Sequence, residues 1–112
     1  MTQAKHVVVT RAASTDLKRN SDWSASHHSQ EQADRWLSVV ESQFGTLSGM
    51  LESHPLSMEN DQFPFEIREK LVGLGQHRSY RAVFTVRQNL VVVLTVRRAS
   101  QRSLKQTDIR FD

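Results

Sequence analysis

Across residues 56–64 the hydrophobic period of this chain changes, and that change constrains the fold more than any other feature. Upstream, Ala33, Trp36, Leu37, Val40, Phe44, Leu47 and Leu51 recur at helical spacing. Downstream, Tyr80, Ala82, Phe84 and Val86 alternate with Arg81, Val83, Thr85 and Arg87, the period of two that puts successive side chains on opposite faces of a strand. Residues 90–96 are almost wholly apolar, as expected of a central strand covered on both sides. A chain that is helical first and sheet-forming afterwards belongs to the α+β class.

The same patterning sets the expected boundaries. Residues 6–11, rich in valine, suit a first strand because β-branched side chains fit a pleated surface. Ser14, Thr15 and Asp16 carry N-cap chemistry for a helix over 13–26, lined by Ala13, Leu17 and Trp23 and broken at His27 and His28. Ser29 and Gln32 fit a capping box at the head of the second helix. Its spacing runs for five turns, through Gly45 and Gly49, which cost about 1 kcal/mol each relative to alanine, and Pro55 stops it near His54. Helices joined by so short a loop pack antiparallel. Phe65, Ile67 and Leu71 alternate with Glu66, Arg68 and Lys70 in a further strand, and Gly73 and Gly75 lead into a turn. Gln88 and Asn89 close a tight hairpin between the last two strands. The expected fold is therefore an N-terminal strand, an antiparallel helical hairpin, then a three-stranded antiparallel sheet, in a single domain spanning 1–112.

Composition excludes several functions. The 112 residues contain no cysteine, which rules out disulfides, thiolate metal sites and cysteine nucleophiles. No apolar run approaches the roughly 18 residues of a membrane span, and the valines at 7–9 are too few for a signal-peptide core. The chain is expected to stay in the cytoplasm, without a membrane partner. His27 and His28 are adjacent, so they point apart on a helix, and the other three histidines are scattered, so no metal or other cofactor is expected. No glycine-rich phosphate loop or nucleophile elbow is present. Trp23 and Trp36 fall at helical core spacing and read as core.

The net charge of +3 admits an anionic partner. The cations concentrate late. Arg68 and Lys70 are two apart and share a strand face; Arg81 lies on the following strand, and Arg97 and Arg98 end the next. If these strands are neighbours, their cations can gather on one side of the sheet. Arginine's planar fork matches phosphate oxygens, although arginines beside strands also serve as solvated edges that deter aggregation.

Several segments resemble, in order, the RelE/ParE toxin superfamily of type II toxin–antitoxin pairs, which includes plasmid stabilisation proteins. Ala13, Asp16 and Leu17 resemble the start of its first helix, and Ser29, Glu31 and Ala33 the opening of its second. Phe44, Leu47, Leu51 and Pro55 resemble that helix's close. Residues 65–68, 77–84 and 90–98 resemble its last three strands, so the likeness covers roughly residues 6–102. The resemblance implies a growth-inhibiting toxin silenced by a cognate antitoxin, acting either by cutting mRNA on the ribosome or by poisoning DNA gyrase. It places Arg68 and Arg81 at recurrent arginine positions. With Lys70 and Arg98 they form the candidate catalytic set of a metal-independent endoribonuclease. Arg78, Arg97 and Arg102 are candidates for antitoxin or target binding. One departure weighs against RNA cleavage: many RNA-cutting members carry a histidine or tyrosine after the last strand, and here neither follows Arg98. The long second helix expected above resembles the gyrase-directed members instead. The alternative is a non-toxic module of the same fold that only binds its antitoxin.

Overall fold

The structure is a computed structural model, and it describes residues 6–49, 53–76, 78–101 and 103–112. Strand β1 (His6–Val9) leads into helices α1 (Arg11–His27) and α2 (Gln30–Gly45), followed by strands β2 (Arg68–Val72), β3 (Tyr80–Arg87) and β4 (Leu90–Arg98). The strands form one sheet in the order β1-β4-β3-β2. β2–β3 and β3–β4 are antiparallel, and β1 lies parallel to β4 with His6 opposite Leu90. This is the expected α+β arrangement, with the first strand added to the sheet as a parallel edge. The apolar run becomes the central strand β4, whose Val91 to Val96 positions are all buried.

Two apolar clusters cover the two faces of the sheet. On one face, Ala13 and Leu17 of α1 and Trp36, Val40 and Phe44 of α2 pack against Val72, Ala82, Phe84, Val91, Val93 and Val96. Each fully buried side chain of this size contributes about 1.5–3 kcal/mol. On the other face, Ile67, Val83, Val92 and Leu94 are covered by Leu104 and partly by Phe63, Phe65 and Ile109. The polar loop and the C-terminal segment thus form a second lid, which makes β4 a strand buried on both sides.

Several boundaries differ from the sequence expectation. The first strand ends at Val9, and α1 begins at Arg11 with Thr10 as N-cap, its Oγ1 accepting from the Ala13 amide at 3.1 Å. Ser14 and Thr15 are simply in the helix. Asp16 is used elsewhere, because the register of β3 and β4 slips between Val83 and Phe84. Such a bulge leaves backbone groups without ladder partners, and α1 supplies them. Asp16 Oδ2 accepts from the Val96 amide at 3.1 Å and from Thr95 Oγ1 at 2.7 Å, while Thr10 Oγ1 donates to the Leu94 carbonyl at 3.3 Å.

The second helix is shorter than expected. Ser29 caps it through Gln32, as the capping pattern implied, but the α-helix ends at Gly45 and tightens into a 3-10 turn, Thr46–Ser48. Gly45 and Gly49 weaken further turns through the backbone entropy that glycine loses in a helix, and hydroxyls take over the released carbonyls: Thr46 Oγ1 donates to Gln43 O at 2.7 Å and Ser48 Oγ to Gly45 O at 3.2 Å. The helix therefore does not reach His54; Leu51, assigned to its last turn, lies outside the described residues. β2 starts at Arg68 rather than at Phe65, and its buried helix-side residue is Val72, whereas Leu71 is exposed. The β3–β4 hairpin has the expected two-residue turn, with Gln88 at φ 55°.

Candidate functional site

The strands bearing the candidate cations are neighbours, but the cations do not gather on one face. Arg68 and Lys70 share the helix-facing side of β2 with Val72, and Arg98 shares that of β4 with Val96. Arg81 and Arg97, opposite one another in register, occupy the other face with Val83. The strand period forces this split, because Arg97 and Arg98 are adjacent and Arg81 is an odd number of residues from its hairpin's helix-side positions.

Arg81 is 1% exposed. Its guanidinium makes two hydrogen bonds to Glu59, Nη1 to Oε1 at 2.8 Å and Nη2 to Oε2 at 2.5 Å, and a third from Nη1 to Glu69 Oε1 at 3.1 Å. Glu59, in the loop where the hydrophobic period changes, is 2% exposed and also accepts from Ser57 Oγ at 2.8 Å and from the Leu104 amide at 2.7 Å. Burial pushes the Glu59 carboxyl up, but the bonds from Arg81, Leu104 and Ser57 outweigh it and hold the pKa down at about 2. This buried ion-pair cluster ties loop, sheet and C-terminal segment together. Its carboxylate was not legible as a functional or structural group in sequence, since a lone glutamate in a polar stretch has no pattern.

The other cations are placed more openly. Arg68 is anchored by Nη1 to the His54 carbonyl at 2.6 Å and by Nε to Glu66 at 2.8 Å. Lys70, Arg78 and His54 line a hollow of about 370 Å³ at the outer side of β2, where Arg78 Nη1 reaches the Leu71 carbonyl at 3.5 Å. Burial, then the nearby charges of Lys70 and Arg68, hold the His54 pKa below its usual 6.5. His54 is thus a titratable group beside the cationic strand that sequence reasoning passed over as a scattered histidine. Arg102 lies outside the described residues.

Arg98 lies in a different setting. Its guanidinium sits over the Trp23 ring, 4.4 Å from the centroid, and His27 stacks on that ring at 4.1 Å. Trp23, expected in the core, is 39% exposed, because α1 turns it towards the end of β4 rather than into the sheet. Trp36 does enter the core, edge-on to Tyr80 at 5.0 Å. Trp23, Trp36, Tyr80 and Arg98 line one cleft of about 360 Å³ with the N-terminal end of α2 and the β2–β3 turn. Among the described residues, no group of three or more His, Asp or Glu is placed to hold a metal ion, and no helix is long and apolar enough to cross a membrane.

The family model for the ParE toxin of the type II toxin–antitoxin system parDE matches residues 7–103, nearly the whole chain. The chain belongs to the ParE toxin family. The resemblance to the RelE/ParE superfamily, and with it the class of type II toxin, is thereby established. A solved chain described as "Chromosomal ParDE TA system from P. aeruginosa" is similar in fold, with a TM-score of 0.69 and 18% identity over 85% of this chain and 96% of that one. Comparison with curated proteins gave no match. Within the ParE family frame, the second helix of this chain carries no argument about target, since it is shorter than the sequence implied.

Proposed function

We propose that this ParE-family chain is the toxin of a type II pair, neutralised by a cognate antitoxin, and that it acts by binding its target, DNA gyrase, rather than by cutting mRNA on the ribosome. The observation that carries this reading is the state of Arg81. Metal-free RNA cleavage needs a base for the 2′-hydroxyl proton, cations on the phosphate and an acid for the leaving oxygen. Arg81, one of the two arginines that the resemblance places at recurrent positions, is spent on Glu59 and Glu69 inside the protein. To free it would leave buried carboxylates uncompensated. Arg68, Lys70 and Arg98 lie on the opposite face, so the four candidate groups do not share one reaction centre. The sequence after Arg98 also has no histidine or tyrosine to act as acid.

Purified chain added to gyrase should inhibit supercoiling, and primer extension on mRNA after induction should show unchanged transcripts during growth arrest. Cleaved transcripts with intact supercoiling would overturn the reading in favour of the ribonuclease. Harmless expression in the absence of the antitoxin would favour a module that retains the fold and the partner alone.

A further inference from the structure

Trp36 lines the cleft between the helical hairpin and the end of β4, and its buried indole N–H lacks a partner among the described residues. The residue is 6% exposed. A buried donor left unpaired costs about 1–3 kcal/mol, so an acceptor seated there would recover that cost. The wall around it is rigidly built. Gln43, two turns along α2 from Trp36, clamps the Gly73 backbone through both ends of its amide, accepting from the Gly73 amide at 2.9 Å and donating to its carbonyl at 3.2 Å. Gly73 has φ 130°, and a Cβ there would lie 3.8 Å from the indole nitrogen. That distance is ordinary contact, so it is the positive φ of the turn, and not lack of space, that calls for glycine here.

The second observation is charge. Arg98 lines the same cleft, holds its guanidinium carbon 4.4 Å from the Trp23 ring centroid, and forms no ion pair among the described residues. A guanidinium that contacts a ring through its cationic centre keeps N–H donors for a carboxylate. The described residues that line the cleft include no aspartate or glutamate. One cation and one neutral donor suit a carboxylate side chain. A nucleic-acid strand is a poorer fit, because it asks for a run of cations and an open aromatic platform, and Trp23 is already covered by Arg98 and His27.

We infer that this cleft is a receptor for an aspartate or glutamate side chain of an acidic peptide segment, bound by Arg98 and by the Trp36 indole N–H. Taken with the proposed function, on which this last step rests, the segment belongs to the antitoxin.

The test uses the indole N–H signals of the two tryptophans in a proton–nitrogen correlation spectrum, assigned with Trp23→Phe. The probe is the capped peptide acetyl-Ala-Glu-Ala-Asp-Glu-amide, with its Gln/Asn counterpart and an oligothymidylate as comparisons. The acidic peptide should move the Trp36 signal downfield and saturably, and the amide peptide should not. Arg98→Gln should weaken binding by about tenfold, the scale of a hydrogen bond to a charged group. Arg110→Gln, which removes the same charge from an exposed site elsewhere, should not. An unmoved indole, an equal response to the amide peptide, or a response to the oligonucleotide alone would overturn the inference. In the complex with the antitoxin the same signal should move. An antitoxin that binds tightly with the signal unmoved, and with affinity unchanged by Arg98→Gln, overturns the cleft assignment while the proposed function stands. A chain that binds the acidic peptide as expected but no antitoxin keeps the cleft and removes the partner.

Discussion

At Glu59 two opposing effects act on one carboxyl group. Burial favours its neutral form, whereas Arg81, the Leu104 amide and Ser57 favour the anion and win, taking the pKa from 4.5 to about 2. A depressed carboxylate pKa stabilises the fold above the unfolded value and is lost as pH falls through the folded one. Stability should therefore decline between about pH 4.5 and pH 2, and Glu59→Gln should flatten that decline, as read by urea melts across the range. The same variant leaves Arg81 short of its main counter-ion. It should cost about 3–5 kcal/mol, the usual penalty for breaking a buried pair from one side. Glu59→Met with Arg81→Met should recover much of that loss. At His54 it is the neutral form that is favoured: burial and the charges of Lys70 and Arg68 all act against the imidazolium, so its proton chemical shifts should titrate with a midpoint below 6.5. Neither residue shows these properties in sequence. Both acquire them from burial and from charged neighbours distant in sequence, Arg81 for the carboxylate, and Lys70 and Arg68 for the imidazole.

For the elements, the decisive contacts lie at their ends. α1 is anchored to the sheet at its first two turns, where Thr10 caps the helix and both Thr10 and Asp16 take up the backbone groups that the β4 bulge releases. Thr10→Ala should cost about 1–2 kcal/mol in chemical denaturation, at the upper end for an N-cap because the Leu94 carbonyl loses its partner as well. At the other end of the hairpin, Gly45 ends α2 with helical backbone angles, φ −58° and ψ −25°, and open space where a Cβ would lie. Gly45→Ala should thus stabilise the protein, by about 0.5–1 kcal/mol, measured as a raised melting temperature. Helix type, strand type and the hairpin turn were legible because each depends on local periodicity. The helix boundaries were not, since Ser14, Thr15 and Asp16 offer the same capping chemistry as Thr10. Which of them caps is decided by where the sheet is.

In the whole molecule, the lid opposite the helices joins the loop at 57–65 to the segment from Leu104 to Phe111, closing over Ile67, Val83, Val92 and Leu94. Leu104 is fully buried there, and its amide closes the Glu59–Arg81 cluster. Leu104→Ala should cost about 2–5 kcal/mol and should speed amide hydrogen exchange on the lid face of β3 more than in α1. If exchange rises equally in both, the lid is not a separable layer. The lid also explains why the cations form two sets. Arg81 and Arg97 on its face are interior, and Arg68 and Arg98 on the helix face reach the rim.

The order of periodic segments determined the class of fold, the central position of β4 and the ParE family resemblance, because alternation and helical spacing are properties of neighbouring residues along the chain. Which face each cation takes relative to the layers, the burial of Glu59 and Arg81, and the aromatic cleft at Arg98 were decided only by tertiary structure. The β4 bulge, the lid and the turn at Gly73 bring together residues that no sequence spacing relates.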